Sequence, residues 1–284
     1  MAAQSRIFAL NLGMQVVTLA EFRADSRGAL TLHAFQQEEL IVDPAADATR
    51  PAQIEAAVAA LRKALRVPLK ERVNVCLPSQ SVFTRFVKLP GSTPSEVDSI
   101  IGFEAQQNVP FPIDEVIWDY QIMGESKENQ WDVALVAIKA EQLDEINTSV
   151  NKGGLKSFVV DVAPMALSNA FRYNYSDLGG CSLLIDIGAR TTNLVFVEDK
   201  RVFSRSIPVG GNTISAAISK EFKREITVGE KLKIEKGLVG LGGNYAEPED
   251  PVEARISKVV RSTMTRLHAE VARSISFYRQ NQSG

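Results

Sequence analysis

The chain has 284 residues, enough for about two domains at roughly 150 residues each. Its 32 Lys and Arg stand against 34 Asp and Glu, a net charge of −2, which argues against a surface built throughout to hold nucleic acid. Two histidines and two cysteines, Cys76 and Cys181, provide no zinc cluster. No run of 18 apolar residues and no signal-type N-terminus is present, so a cytoplasmic protein with reduced core thiols is expected.

Residues 7–12, 16–22 and 30–35 read as a three-strand meander, with turns at Gly13 and around Asp25–Gly28. A helix starts near Pro51 and places Ile54, Val58, Leu61 and Leu65 on one apolar face. Residues 73–77 form a short buried strand that stops at Pro78. Residues 82–89 are a strand broken by Pro90-Gly91, and 95–107 a helix ended by Val109-Pro110-Phe111-Pro112. Strands at 116–123 and 131–138, joined by a polar turn at 124–130, precede a helix at 140–151 closed by Gly153-Gly154. Residues 81–150 thus read as an inserted β-α-β-β-α subdomain. A strand at 158–162 and a helix from Pro164 to about Tyr173 lead to a second meander at 182–187, 193–198 and 202–208. Helices follow at 211–222 and 228–236, then a glycine-rich, acidic loop at 237–250. A long amphipathic helix carries Val252, Ile256, Val259, Thr263, Leu267, Val271, Ile275 and Tyr278, and the sequence stops at Ser283-Gly284.

The two meanders echo each other. Leu10-Asn11-Leu12-Gly13-Met14-Gln15-Val16-Val17-Thr18-Leu19 aligns with Ile185-Asp186-Ile187-Gly188-Ala189-Arg190-Thr191-Thr192-Asn193-Leu194, as expected of two related lobes with a cleft between them. A glycine in such a turn lets backbone N–H groups approach an anion. Thr191 and Thr192 add hydroxyl donors, and Asp186 is placed to hold a hydrated Mg²⁺ beside phosphates. The first copy keeps Gly13 but has Asn11 in place of the acid, and Met14 and Gln15 in place of small hydroxyl residues. Either turn alone also fits an ordinary hairpin.

With those motifs in place, the chain resembles the actin-like ATPase superfamily. Within it, it resembles the PilM-like type IV pilus assembly proteins and, more distantly, FtsA. The resemblance rests on the second loop followed by Pro208-Val209-Gly210-Gly211-Asn212. It rests also on Val87-Lys88-Leu89-Pro90, Phe103-Glu104-Ala105-Gln106-Gln107, Val109 to Pro112 and Trp118-Asp119-Tyr120-Gln121, and on Gly229-Glu230-Lys231-Leu232-Lys233. It implies an α/β, ribonuclease H-like two-lobed fold, with 1–80 plus 151–178 as the first lobe, 81–150 as the inserted subdomain and 179–284 as the second lobe. The family's C-terminal adenine-binding element has no counterpart here, so the second lobe is expected to be incomplete. The resemblance implies a nucleotide site of Gly13, Gly188, Thr191, Thr192, Asn193, Gly210, Gly211, Glu230 and Lys233, with Asp186 positioning a metal-bound water. By themselves Glu230 and Lys233 read as a surface ion pair at i, i+3.

The resemblance further implies a scaffold that docks at the inner membrane by binding the cytoplasmic N-terminal peptide of a PilN-like protein in a groove shaped by the inserted subdomain. ATP with Mg²⁺ then acts as a conformational ligand, and self-association remains open. The alternatives are an active Mg-dependent ATPase and an FtsA-like polymer-forming protein; a phosphotransferase is a more remote third class.

Overall fold

The computed structural model describes residues 5–90, 93–126, 130–198, 201–239 and 248–281. Gly91, the middle of the turn after residue 124, Gly242-Gly243 and the terminal Ser283-Gly284 lie outside them.

Alternating apolar residues open the chain as β1 (Ser5–Leu12), β2 (Val16–Ala24) and β3 (Leu30–Glu39). The β1–β2 register sets Leu10 opposite Leu19 and Leu12 opposite Val17, and these four begin the first core. Helix α1 (Arg50–Ala64) adds Ile54, Val58 and Leu61 to it. Strand β4 (Glu71–Leu77) pairs parallel to β1, with α1 as the crossover that a parallel pair requires.

The chain then leaves this sheet. Strands β5 (Phe83–Pro90), β6 (Val116–Ser126) and β7 (Gln130–Lys139) form a separate antiparallel sheet of order β5-β7-β6. Helix α2 (Pro94–Asn108) seats Val97 and Ile101 against Leu89 and Val133, and Ala105 against Leu135. Helix α3 (Ala140–Lys152) returns to the first core through Val150. Strand β8 (Leu155–Val162) then pairs parallel to β4, completing the order β3-β2-β1-β4-β8.

Helix α4 (Ala163–Asn174) leads to the third sheet, of order β11-β10-β9: β9 (Ser182–Ile187), β10 (Thr192–Val197) and β11 (Val202–Ile207). Helices α5 (Gly211–Phe222), α6 (Ile226–Lys236) and α7 (Pro251–Asn281) complete it. Strand β10 is buried on both faces. Val195 and Val197 meet Met165 of α4, while Leu194 and Phe196 meet α7, where Phe196 stacks on Tyr278 at 4.1 Å.

The sequence echo is structural, and it has one physical difference. Leu10 and Leu12 are 0% and 1% exposed, while their counterparts Ile185 and Ile187 are 48% and 54% exposed. Strand β4 covers the outer edge of β1; β9 lies at the edge of its sheet.

Three expectations change. A 3-10 helix at Pro44–Thr49, capped by the Asp43 carboxylate accepting from the Ala45 N–H, stands where no element was anticipated. Strand β8 starts at Leu155, three residues early, because the bulge at Phe158 keeps it in register with β4. Both cysteines are free, yet Cys181 is exposed rather than in the core, because it lies just before β9 at the open end of that sheet.

Candidate functional site

Between the lobes lies a cleft of about 480 Å³ lined by both glycine turns, among them Gly13, Gln15, Asp186, Gly188, Thr191 and Lys233. The second turn is fixed by backbone contacts. The Gly188 N–H donates to the Thr191 carbonyl at 2.9 Å. The Gly188 and Ala189 carbonyls accept from the Gly211 N–H at 2.9 Å and the Asn212 N–H at 2.7 Å. A Cβ at Gly210 would fall 2.6 Å from the Gly188 oxygen, so glycine is required there by the close approach of two backbones. Among the described residues no bond occupies the N–H groups of Ala189, Arg190 and Thr191. Successive backbone donors without a protein partner are available to an anion at this turn.

Asn193 is buried between two partners. Its Nδ2 donates to Asp186 Oδ2 at 2.9 Å, and its Oδ1 accepts from Ser79 Oγ at 2.5 Å. It therefore orients Asp186 and ties the second lobe to the end of β4. Thr192 is turned inward: it is fully buried and donates to the Val209 carbonyl at 2.7 Å. The structure thus brings Thr191, but not the Thr192 side chain, to the cleft.

The first turn is arranged differently. A Cβ at Gly13 would fall 2.5 Å from the Val16 oxygen, so the tight turn itself demands glycine. Arg50 takes the carbonyls of Met14 and Gly13 at 3.0 and 2.9 Å, and burial pulls its pKa down. Gln15 reaches across the cleft, its Nε2 donating to Glu230 Oε1 at 3.0 Å. Glu230 is buried; its Oε2 accepts from Ser215 Oγ, and from Lys233 Nζ at 2.7 Å. Burial works to raise the Glu230 pKa, but hydrogen bonds from Lys233, Ser215 and Gln15 outweigh it and hold the carboxyl below its usual range.

A second bridge crosses the cleft. Arg190 of the second turn grips Asp47 of the 3-10 helix bidentately, at 2.7 and 2.5 Å, which holds the Asp47 carboxyl below its usual range. Sequence reasoning missed Asp47; the Asp43-Pro44 pair, a helix-start signal, was the available sign of its element. It also missed Asp161, at the end of β8. Burial pushes the Cys76 thiol up to about 12, and both Asp161 and Asp186 add to that, so the two acids share its surroundings.

The family model of the type IV pilus assembly protein PilM matches residues 9–282. The chain belongs to the PilM family. Among solved structures it is similar to a PilM-PilN type IV pilus biogenesis complex, at 22% identity and TM-score 0.79, over 99% of this chain and 80% of that one. It is also similar to the ethanolamine utilization protein EutJ from Carboxydothermus hydrogenoformans, at 14% identity and TM-score 0.55, over 96% of this chain and 72% of that one. These likenesses establish the mixed α/β, actin-like fold of the PilM family here. A curated relative, the cell division protein FtsA of Neisseria meningitidis serogroup B, is 29% identical over 108 residues, which is 37% of this chain and 26% of that protein. The match therefore spans about a quarter of that relative's length.

The second turn offers a phosphate its free N–H groups and the Thr191 hydroxyl, and offers a cation beside that phosphate the oriented carboxylate of Asp186. The first turn offers an amide at Asn11 and a side chain, Gln15, already bonded to Glu230.

Proposed function

We propose that this chain is a cytoplasmic scaffold of type IV pilus or related secretion assembly. It docks at the inner membrane by seating the cytoplasmic N-terminal peptide of a PilN-like protein. Membership of the PilM family supports the assembly role, and the neighbouring complex, which contains PilN, supports the partner class. No helix among the described residues is long and apolar enough to cross a membrane, which agrees with attachment through a partner.

The observation that carries the peptide is the open edge of β8. Strand β4 pairs one side of it and no described strand pairs the other. Phe158, Val159 and Val160 are exposed along it. A groove of about 160 Å³ runs beside its end, with Val160, Val162 and Met165 on one wall and Tyr120, Ala134 and Val136 of the inserted sheet on the other. An extended peptide gains backbone hydrogen bonds by adding to such an edge, and specificity from the pockets beside it. The test is fluorescence anisotropy with a labelled synthetic N-terminal peptide of the PilN-like protein encoded with this chain. Binding without nucleotide, lost in Val160→Trp, is expected. No binding with or without ATP and Mg²⁺ overturns the proposal.

ATP with Mg²⁺ enters as a conformational ligand of the cleft. The N–H groups of Ala189, Arg190 and Thr191, with the Thr191 hydroxyl, would hold phosphate oxygens. Asp186, oriented by Asn193, would hold the hydrated cation. Gly210 and Gly211 back the turn, Gly13 faces it, and Glu230 and Lys233 would flank the nucleoside. The oriented Asp186 also favours a second reading, a working ATPase. Magnesium-dependent phosphate release that disappears in Asp186→Ala would support that reading, and unchanged release would refute it.

A further inference from the structure

We infer that the groove beside β8 selects its peptide by a Lys or Arg side chain, which it seats against Asp161 and Asp119. This rests on the reading of that groove as the peptide site.

Asp161 on β8 and Asp119 on β6 line the same groove from opposite walls. The Asp161 carboxylate accepts from the N–H of its own neighbour Val162 at 2.7 Å, and Asp119 from the N–H of its own neighbour Tyr120 at 2.8 Å. The remaining polar side chains along the groove are the neutral Tyr120, Gln121 and Asn169, and no Lys or Arg lines it among the described residues. Two basic groups of elements around it are engaged elsewhere. Arg172, one turn further along α4, donates to the Glu198 and Arg201 carbonyls, and Arg201 is held by Asp132 at 2.8 Å. Burial raises the Asp161 pKa, opposed only by the Val162 N–H. A carboxylate partly withdrawn from water, without a cation, costs stability that an incoming cation recovers.

An extended strand presents successive side chains to alternate sides. Apolar residues of the peptide would meet Val160, Val162 and Met165, and a cationic residue at an intervening position would meet the two carboxylates. A carboxylate at that position is rejected by like charge, which makes the pair a filter as well as an anchor.

The experiment measures the labelled PilN-like N-terminal peptide against the native full chain, Asp161→Asn and Val160→Trp, with melting curves to establish that each variant folds. A second peptide has its Lys and Arg replaced by norleucine. A charge-assisted hydrogen bond of ordinary strength corresponds to about tenfold in affinity. The native chain is expected to bind the unmodified peptide about tenfold tighter than Asp161→Asn does, and the norleucine peptide is expected to bind both chains equally. Asp161→Asn binding the unmodified peptide as tightly as the native chain overturns the inference, as does a norleucine peptide that loses nothing. If Val160→Trp abolishes binding while Asp161→Asn leaves the affinity unchanged, the charge selection alone fails. If Val160→Trp binds like the native chain, the groove itself fails as the site.

Discussion

Gln15 Nε2 donates to Glu230 Oε1 at 3.0 Å, joining two residues 215 positions apart across the cleft between the lobes. Gln15 stands in the first glycine turn where the superfamily resemblance implies a small hydroxyl residue, and Glu230 belongs to the pair that resemblance assigns to the nucleoside. The departure in one motif thus engages a residue of another and fastens the cleft from inside. It joins Arg190–Asp47 and Asn193–Ser79 in linking the two lobes.

Gln15→Ala should loosen this fastening with little loss of fold, since a single such hydrogen bond contributes about 1 kcal/mol. Amide hydrogen exchange at residues 13–16 and 229–231 should quicken, while the melting temperature falls by no more than about 4 °C. Unchanged exchange would show that the bond does not restrain the cleft.

Thr192 and Thr191 should separate in their effects. Thr192→Val leaves the buried Val209 carbonyl without its 2.7 Å donor, which costs about 1–3 kcal/mol and lowers the denaturation midpoint. Thr191→Ala, on the cleft, should leave the midpoint within about 0.5 kcal/mol and weaken any ATP binding read by calorimetric titration.

Gly210→Ala should be among the more damaging small substitutions. The new Cβ meets the Gly188 and Ala189 oxygens at 2.6 and 2.7 Å, so the second turn must move away from the start of α5. A loss of about 2 kcal/mol is expected in urea denaturation, against a gain of about 0.5–1 kcal/mol for Gly102→Ala, inside helix α2, whose Cβ meets nothing within 4 Å.

The pH dependence has a defined sign. Glu230, Asp47 and Glu21, the last gripped by the Arg6 guanidinium at 3.0 Å, have pKa values held below their ordinary range. Each therefore contributes stability that is present above the unfolded value and is lost as pH falls through the folded one. Asp161 is raised by burial, so at neutral pH its charge costs stability. Asp161→Asn should raise the melting temperature at pH 7 by about 2 °C, and the gain should vanish in acid below the unfolded carboxyl value, where both side chains are neutral. A gain that persists there would assign the effect to something other than the charge.

The sequence by itself determined the elements and their duplication. The apolar run from Ile7 to Leu12, the alternation of Leu30, Leu32 and Ala34, and the 3- and 4-residue steps of α7 are local patterns, and local patterns fix strands and helices. The two glycine turns were legible because a tight turn constrains its own residue type. What a turn faces is decided by other segments, and no local pattern records it. Thr191 and Thr192 are chemically alike in sequence, yet Thr192 opens β10, which is buried along its length, while Thr191 stays in the turn on the cleft. Asp47 and Gln15 look like surface residues until folding places Arg190 and Glu230 opposite them. Asp161 reads as an ordinary strand residue until β6 brings Asp119 to the same groove. Side-chain partners at separations of more than a hundred residues depend on how the lobes pack, so only the tertiary structure decided which charges are paired and which are left for a partner.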